Sequence, residues 1–113
     1  MNKLTIAIVL LLATPALAQA PADVNVRSTR TISAQMPAEG VAQFCVVSPS
    51  APEVPLVCVP AANGAVVVAD VTPFMPVGVR TCFRGITISP EGIQSVASAN
   101  QACGTVPGAP VLQ

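Results

Sequence analysis

The chain has 113 residues, of which 52% are hydrophobic and only 9% charged, with five basic and five acidic side chains and no histidine, tryptophan or tyrosine. So few and balanced charges exclude the basic patch that nucleic-acid binding needs, and they exclude strong electrostatic attraction to an anionic membrane. The missing histidine removes the commonest general base and metal ligand, so His-dependent triads and most transition-metal sites are excluded and no cofactor is expected.

Residues 1–20 read as a secretory leader. Met1-Asn2-Lys3 supplies the positive start, residues 4–12 the apolar run, and Ala16-Leu17-Ala18 and Ala18-Gln19-Ala20 two overlapping small-x-small cleavage sites. The run is too short for a membrane helix, which needs about 20 apolar residues. No later segment is long and apolar enough to span either, so an exported protein, periplasmic or secreted, is expected. Lys3 leaves with the leader, and the four arginines and five acids that remain set a mature charge of −1.

The leader decides how the cysteines are read. Cys45, Cys58, Cys82 and Cys103 form an even set in a small exported domain, which implies two disulfides. They lack the close C-x-x-C pairs of a zinc or redox site. Four cysteines allow three pairings. A hairpin centred between Ala51 and Pro52 puts Cys45 opposite Cys58, and a centre between Gly92 and Ile93 puts Cys82 opposite Cys103. Those pairs are preferred, and Cys45–Cys82 with Cys58–Cys103 is the alternative.

The mature part divides into a domain at 21–104 and a flexible tail at 105–113. Residues 24–32 alternate small apolar and polar side chains and predict an edge strand. Pro37-Ala38-Glu39-Gly40 is a turn. Further strands are predicted at 41–47, 54–59, 65–71, 79–89 and 93–100, separated by Pro-, Gly- and Ser-rich turns. Asn63-Gly64 is a hairpin signal between two of them. Eleven of the twelve prolines fall after residue 20, and no helical repeat is sustained. Short strands at this spacing predict an all-β protein, a small antiparallel β-sandwich stapled by two disulfides.

Within it, Val66–Val71, Thr72-Pro73, Pro76-Val77-Gly78, the long Val79–Ile86 stretch, Pro90-Glu91-Gly92 and Ser95-Val96-Ala97-Ser98-Ala99-Asn100 resemble the C-terminal half of a fibronectin type III-like, immunoglobulin-like domain. The likeness covers about residues 65–100. This chain departs from that family in lacking its long-strand tyrosine and early-strand tryptophan; two staples can replace the aromatic core. The resemblance implies a binding or spacer module.

Candidate contact residues are few. Arg80 and Arg84 flank Cys82 on one face of the 79–89 strand and can present guanidinium groups to a carboxylate or sulfated partner; a solvated sheet face is the simpler reading. Phe74-Met75, braced by Pro73 and Pro76, can anchor a partner or plug the end of the sandwich, and plugging is preferred. Ser95 and Ser98 are expected on the exposed face of the last strand. The acids are scattered, with no catalytic pair and no oxygen-rich calcium loop, and no serine sits in Gly-x-Ser-x-Gly. The expectation is therefore a non-enzymatic binding or accessory protein of the cell envelope or extracellular space, acting on another protein, with the oligomeric state open. Two alternatives stand beside it: a secreted hydrolase inhibitor presenting a rigid Pro-rich loop at 48–55 or 72–78, and a structural subunit assembling through strand edges.

Overall fold

A computed structural model describes residues 21–113; the leader expected over residues 1–20 lies outside the described residues. The strands are β1 (Val24–Asn25), β2 (Thr31–Gln35), β3 (Gln43–Ser48), β4 (Ala51–Pro60), β5 (Val66–Asp70), β6 (Thr81–Ile88) and β7 (Ala102–Gly104), with a 3-10 turn at Thr72–Phe74. They form a five-stranded sheet in the order β1-β7-β6-β3-β4 and a two-stranded sheet of β2 and β5. All pairings are antiparallel except the short β1–β7 contact. The fold is all-β and sandwich-like.

The pleat explains the layers. Alternate residues of a strand face opposite sides, so Phe44 and Val46 of β3 and Phe83 of β6 point to the space between the sheets. There they meet Met36, Ala69, Val71, Met75 and Val106 in one buried apolar cluster. Cys45 and Val47 of β3 and Ile86 of β6 point the other way, into a second, smaller cluster closed by Ile88 and Ala97. Both faces of β3 are thus covered, and its inner residues Cys45, Val46 and Val47 have no exposed surface. No polar or charged side chain is buried among the described residues.

Both preferred disulfides form, Cys45–Cys58 and Cys82–Cys103, and no described cysteine is free. Register explains why. Ala61 N–H donates to Ala42 O, which makes Ala42/Ala61 a hydrogen-bonded pair and, by alternation, Cys45/Cys58 a non-hydrogen-bonded one. In such pairs the Cα atoms approach to about 4.5 Å and the side chains lie closest; here the separation is 4.1 Å. Cys103 O accepts from Val26 N–H on the β1 side, so Cys82/Cys103 is of the same kind, also at 4.1 Å. The bridges close loops of 13 and 21 residues, each stabilising by about 3 kcal/mol through the unfolded chain.

Four expectations need correction, the first being the hairpin centred between Ala51 and Pro52: the chain turns at Pro49-Ser50, and register shifts between Val46 and Ser48 restore the Cys45–Cys58 pairing. Residues 24–32 are not one strand: the chain turns at Arg27–Arg30, where Arg30 adopts φ +60°, so that β1 joins one sheet and β2 the other. Asn63-Gly64 does turn the chain, with Gly64 at φ +71°, but it links strands of different sheets rather than a hairpin. Asn63 Oδ1 accepts from Val41 N–H at 2.9 Å, and Gln35 Nε2 donates to Gly64 O at 2.8 Å, so the turn is held against both sheets. Residues 93–100 are not a strand, and the last strand is β7 at Ala102–Gly104. Past Gly104, Val106 is buried and pairs with Val77.

Gly85 lets the core close. A Cβ there would sit 2.6 Å from Phe44 Cε1, inside a ring that is itself only 4% exposed. Gly85→Ala should therefore destabilise the protein by about 1–3 kcal/mol, the usual cost of overpacking, measured as a lower urea midpoint at unchanged m-value. A midpoint equal to wild type would show that the ring moves aside freely.

Candidate functional site

The site builds from the unpaired side of β6. Its first three residues pair with β7. Beyond them, Gly85 and Thr87 turn their backbone groups outward, and no strand meets them. Two serines do. Ser98 N–H donates to Gly85 O at 2.8 Å while Gly85 N–H donates to Ser98 Oγ at 3.0 Å. Ser95 N–H donates to Thr87 O while Thr87 N–H donates to Ser95 Oγ, both at 2.9 Å. Each serine supplies a donor from its backbone and an acceptor from its own side chain, doing the job of a strand residue's N–H and C=O. The hydroxyls are satisfied in turn, Ser95 donating to Val96 O and Ser98 to Asn100 O, both at 2.8 Å. The serines are three apart and their targets two apart, so the extra residue bulges. Val96 is thrown out to 89% exposure while Ala97 drops onto the second cluster.

Arg84 fastens this strap, its Nη1 donating to Ser98 O at 2.7 Å and Ala99 O at 2.8 Å. Of the residues singled out in the sequence, Arg84 is thus engaged inside the molecule, whereas Arg80 is exposed just ahead of β6. Met75 is 8% exposed in the core, and Phe74 is half-buried against that core. The four candidates do not converge on one place.

What does converge is a cleft of about 540 Å³ between β2 and the strap. Its floor is Phe44, Phe83, Gly85 and Thr87, one wall is Ile32–Met36, and the other runs through Ser95, Ser98 and Gln101. The lining holds no acidic side chain, and its one cation is Arg84. Among the described residues, Arg84 is the charged side chain of the lining, and its Nη1 is bonded to the Ser98 and Ala99 carbonyls.

The cleft wall is also a sheet edge. Met36 N–H donates to Ala65 O and Val71 N–H to Arg30 O, so in β2 the backbone groups of the even-numbered residues point at β5. By alternation those of Ser33 and Gln35 point to the cleft side. Edge strands normally carry a device against pairing. In the large sheet β4 contains Pro52, Glu53, Pro55 and Pro60, and β1 is two residues long; β2 contains neither proline nor charge.

Asp70, at the end of β5, accepts from Thr72 N–H at 2.8 Å. Hydrogen bonding to Thr72, its side chain first and then its backbone, and a lesser pull from Arg30 hold the Asp70 carboxyl below its ordinary value.

Comparison with protein-family models, curated proteins and solved structures finds no match.

Two outcomes are expected. Ser98→Ala removes the acceptor for Gly85 N–H and should cost about 1 kcal/mol, with faster hydrogen exchange at the Gly85 amide than at Val46. An unchanged Gly85 exchange rate would mean that the strap does not protect that edge. Because the Asp70 pKa is lowered on folding, its contribution is present above the unfolded value, about 3.9, and is lost as pH falls through the folded value. The difference in urea midpoint between wild type and Asp70→Asn should therefore be largest at neutral pH and fade in acid; a constant difference would contradict the assignment.

Proposed function

We propose that this is an exported, periplasmic or secreted, non-enzymatic binding or accessory protein that holds an extended, uncharged segment of another protein in the cleft. The carrying observation is the junction of an apolar floor with the free Ser33 and Gln35 edge of β2. A bound strand would find backbone partners on β2 and side-chain cover on Phe44 and Phe83, the usual terms of strand addition. Two disulfides fit an oxidising compartment, and no described helix is long and apolar enough to cross a membrane.

We carry the fibronectin type III-like likeness of residues 65–100 as part of this reading. Its support is that β5 and β6 follow one another into different sheets; the strap in place of a final strand is unlike that family. A sandwich alone does not fix function, so the cleft bears the argument. The structural-subunit reading draws support from β5, another edge free of proline. The inhibitor reading loses its rigid loops: 48–55 is a hairpin turning at Pro49-Ser50, and the 72–78 loop buries Met75.

Ser33→Pro tests the proposal, since it deletes an N–H that no β5 residue uses. Capped, uncharged hexapeptides alternating Val with Ser or Thr, titrated into the isotope-labelled protein, should shift the amide resonances of Ser33, Gly85 and Thr87. Ser33→Pro should weaken that binding at least tenfold, about 1.4 kcal/mol, with the thermal midpoint kept. Equal binding by Ser33→Pro, or no peptide bound at millimolar concentration, would sink the reading.

A further inference from the structure

We infer that β5 is a self-association edge, and that two copies of this chain pair antiparallel along it, Val68 against Val68, to form one four-stranded small sheet. The alternation that turns residues 65, 67, 69 and 71 toward β2 turns the backbone groups of Val66, Val68 and Asp70 away from it. No described backbone or side-chain hydrogen bond uses the N–H or C=O of Val66 or Val68. The strand is Val-Val-Val-Ala-Asp, β-branched, free of proline and uncharged until its last residue, which is the composition that favours pairing.

The two free edges of the small sheet differ in what lies beside them. The β2 edge gives onto the cleft, where the floor of the large sheet leaves room for a single segment. β5 packs toward β4, which is itself the last strand of the large sheet, so its open side looks off the end of the sandwich.

The occupant is a second copy because the edge is complementary to itself. An antiparallel register centred on Val68 matches Val66 with Asp70 of the other strand, so all three outward-facing residues of each copy find partners. Val68, 50% exposed on the solvent face, then forms an apolar cross-strand pair with its copy, and Val66 lies across from Asp70. The same register keeps the two Asp70 carboxylates four residues apart, about 14 Å at the rise of an antiparallel strand and beyond the Debye length of about 8 Å at physiological salt. Arg30 lies near Asp70 within each copy and offsets that charge further. A parallel pairing would bring the two carboxylates side by side. The arrangement is isologous and closes as a dimer rather than a fibre.

Five residues of edge and two valines per copy bury less than the roughly 1,200–2,000 Å² of a tight interface. The dimer is therefore reversible, with a dissociation constant weaker than about 1 μM. Both β2 edges stay at the outer flanks of the joined sheet, so each copy keeps its cleft.

Sedimentation velocity of the exported protein from micromolar to millimolar concentration tests this. The weight-average mass should rise from monomer toward dimer and stop there, and the Val66 and Val68 amides should gain exchange protection as it rises. Val68→Lys sets two cations against each other on the two-fold axis and should remain monomeric throughout, with an unchanged circular dichroism spectrum and thermal midpoint showing that it folds. Ser33→Pro, which disables the other edge, should dimerise as wild type does. A strict monomer at millimolar concentration, mass that climbs past dimer, or dimerisation abolished by Ser33→Pro and untouched by Val68→Lys would each overturn the inference. Peptide titration of Val68→Lys is a separate readout, so failure of the dimer and failure of the cleft are distinguishable.

Discussion

The large sheet depends on how β6 closes its outer edge. β6 is a central strand, bonded to β3 along one side, and a central strand cannot leave buried N–H and C=O groups unmet without a cost of about 1–3 kcal/mol each. β7 is three residues long and covers only the first part of that side. Ser95 and Ser98 cover the rest, and in doing so they place everything around them. Ala97 is pressed onto the outer cluster, Arg84 is drawn across the sheet to the Ser98 and Ala99 carbonyls, and the far wall of the cleft is set. The wall is therefore a by-product of edge satisfaction, which is why it is polar over a floor that is apolar.

The staples act on the same sheet. Both disulfides join neighbours within it, β3 to β4 and β6 to β7, at positions where the pleat already brings side chains together. They resist the unfolding of a small domain that has no tryptophan or tyrosine to fill its centre. The inner core is made instead from Phe44, Phe83, two methionines and a set of valines. Gly85 is the concession that lets Phe44 lie flat across β6.

Much of this frame is legible in the sequence, and the reason lies in local geometry. The preferred cysteine pairs form, but not by the mirror symmetry of one tight turn: the first hairpin turns at Pro49-Ser50, where Ser48 faces Ala51, and register shifts between Val46 and Ser48 bring Cys45 opposite Cys58. In the second case Ile88 faces Gln94 beside the turn, and the extra residues of the 93–100 strap shift the register until Cys82 faces Cys103. That segment illustrates what the sequence hides. Ser-x-x-Ser among small apolar residues alternates like a strand, and only the bond donated by the Thr87 and Gly85 amides reveals that the side chains, not the backbone, accept. The break at Arg27–Arg30 is hidden for a related reason: no glycine or proline marks it, and a non-glycine residue takes the positive φ. The cleft is hidden altogether. It belongs to the gap between two sheets, and its lining residues carry no chemical signature that spacing could expose. Arg84 is a milder case, since its type suggests an outward role and only the strap's carbonyls show where its guanidinium is spent.

The division of labour between the sheets follows from where the covalent bonds are. The large sheet holds both disulfides and has both edges blunted, β4 by prolines and β1 by its length. The small sheet has neither device. It is tied to the body through the core side chains Ile32, Ala34, Ala69 and Val71, through the Asn63 and Gln35 bonds at one end, and through the turn after Asp70 at the other. Among the described strands, β2 and β5 are the edges that carry neither a proline nor a length of two residues. A protein that needed only stability would have blunted those edges as it did the others, at the cost of one proline or lysine apiece. Two proline-free edges on the unstapled layer, one facing a cleft and one facing outward, put the proposed recognition on the layer without covalent staples and leave the stapled layer to supply the floor.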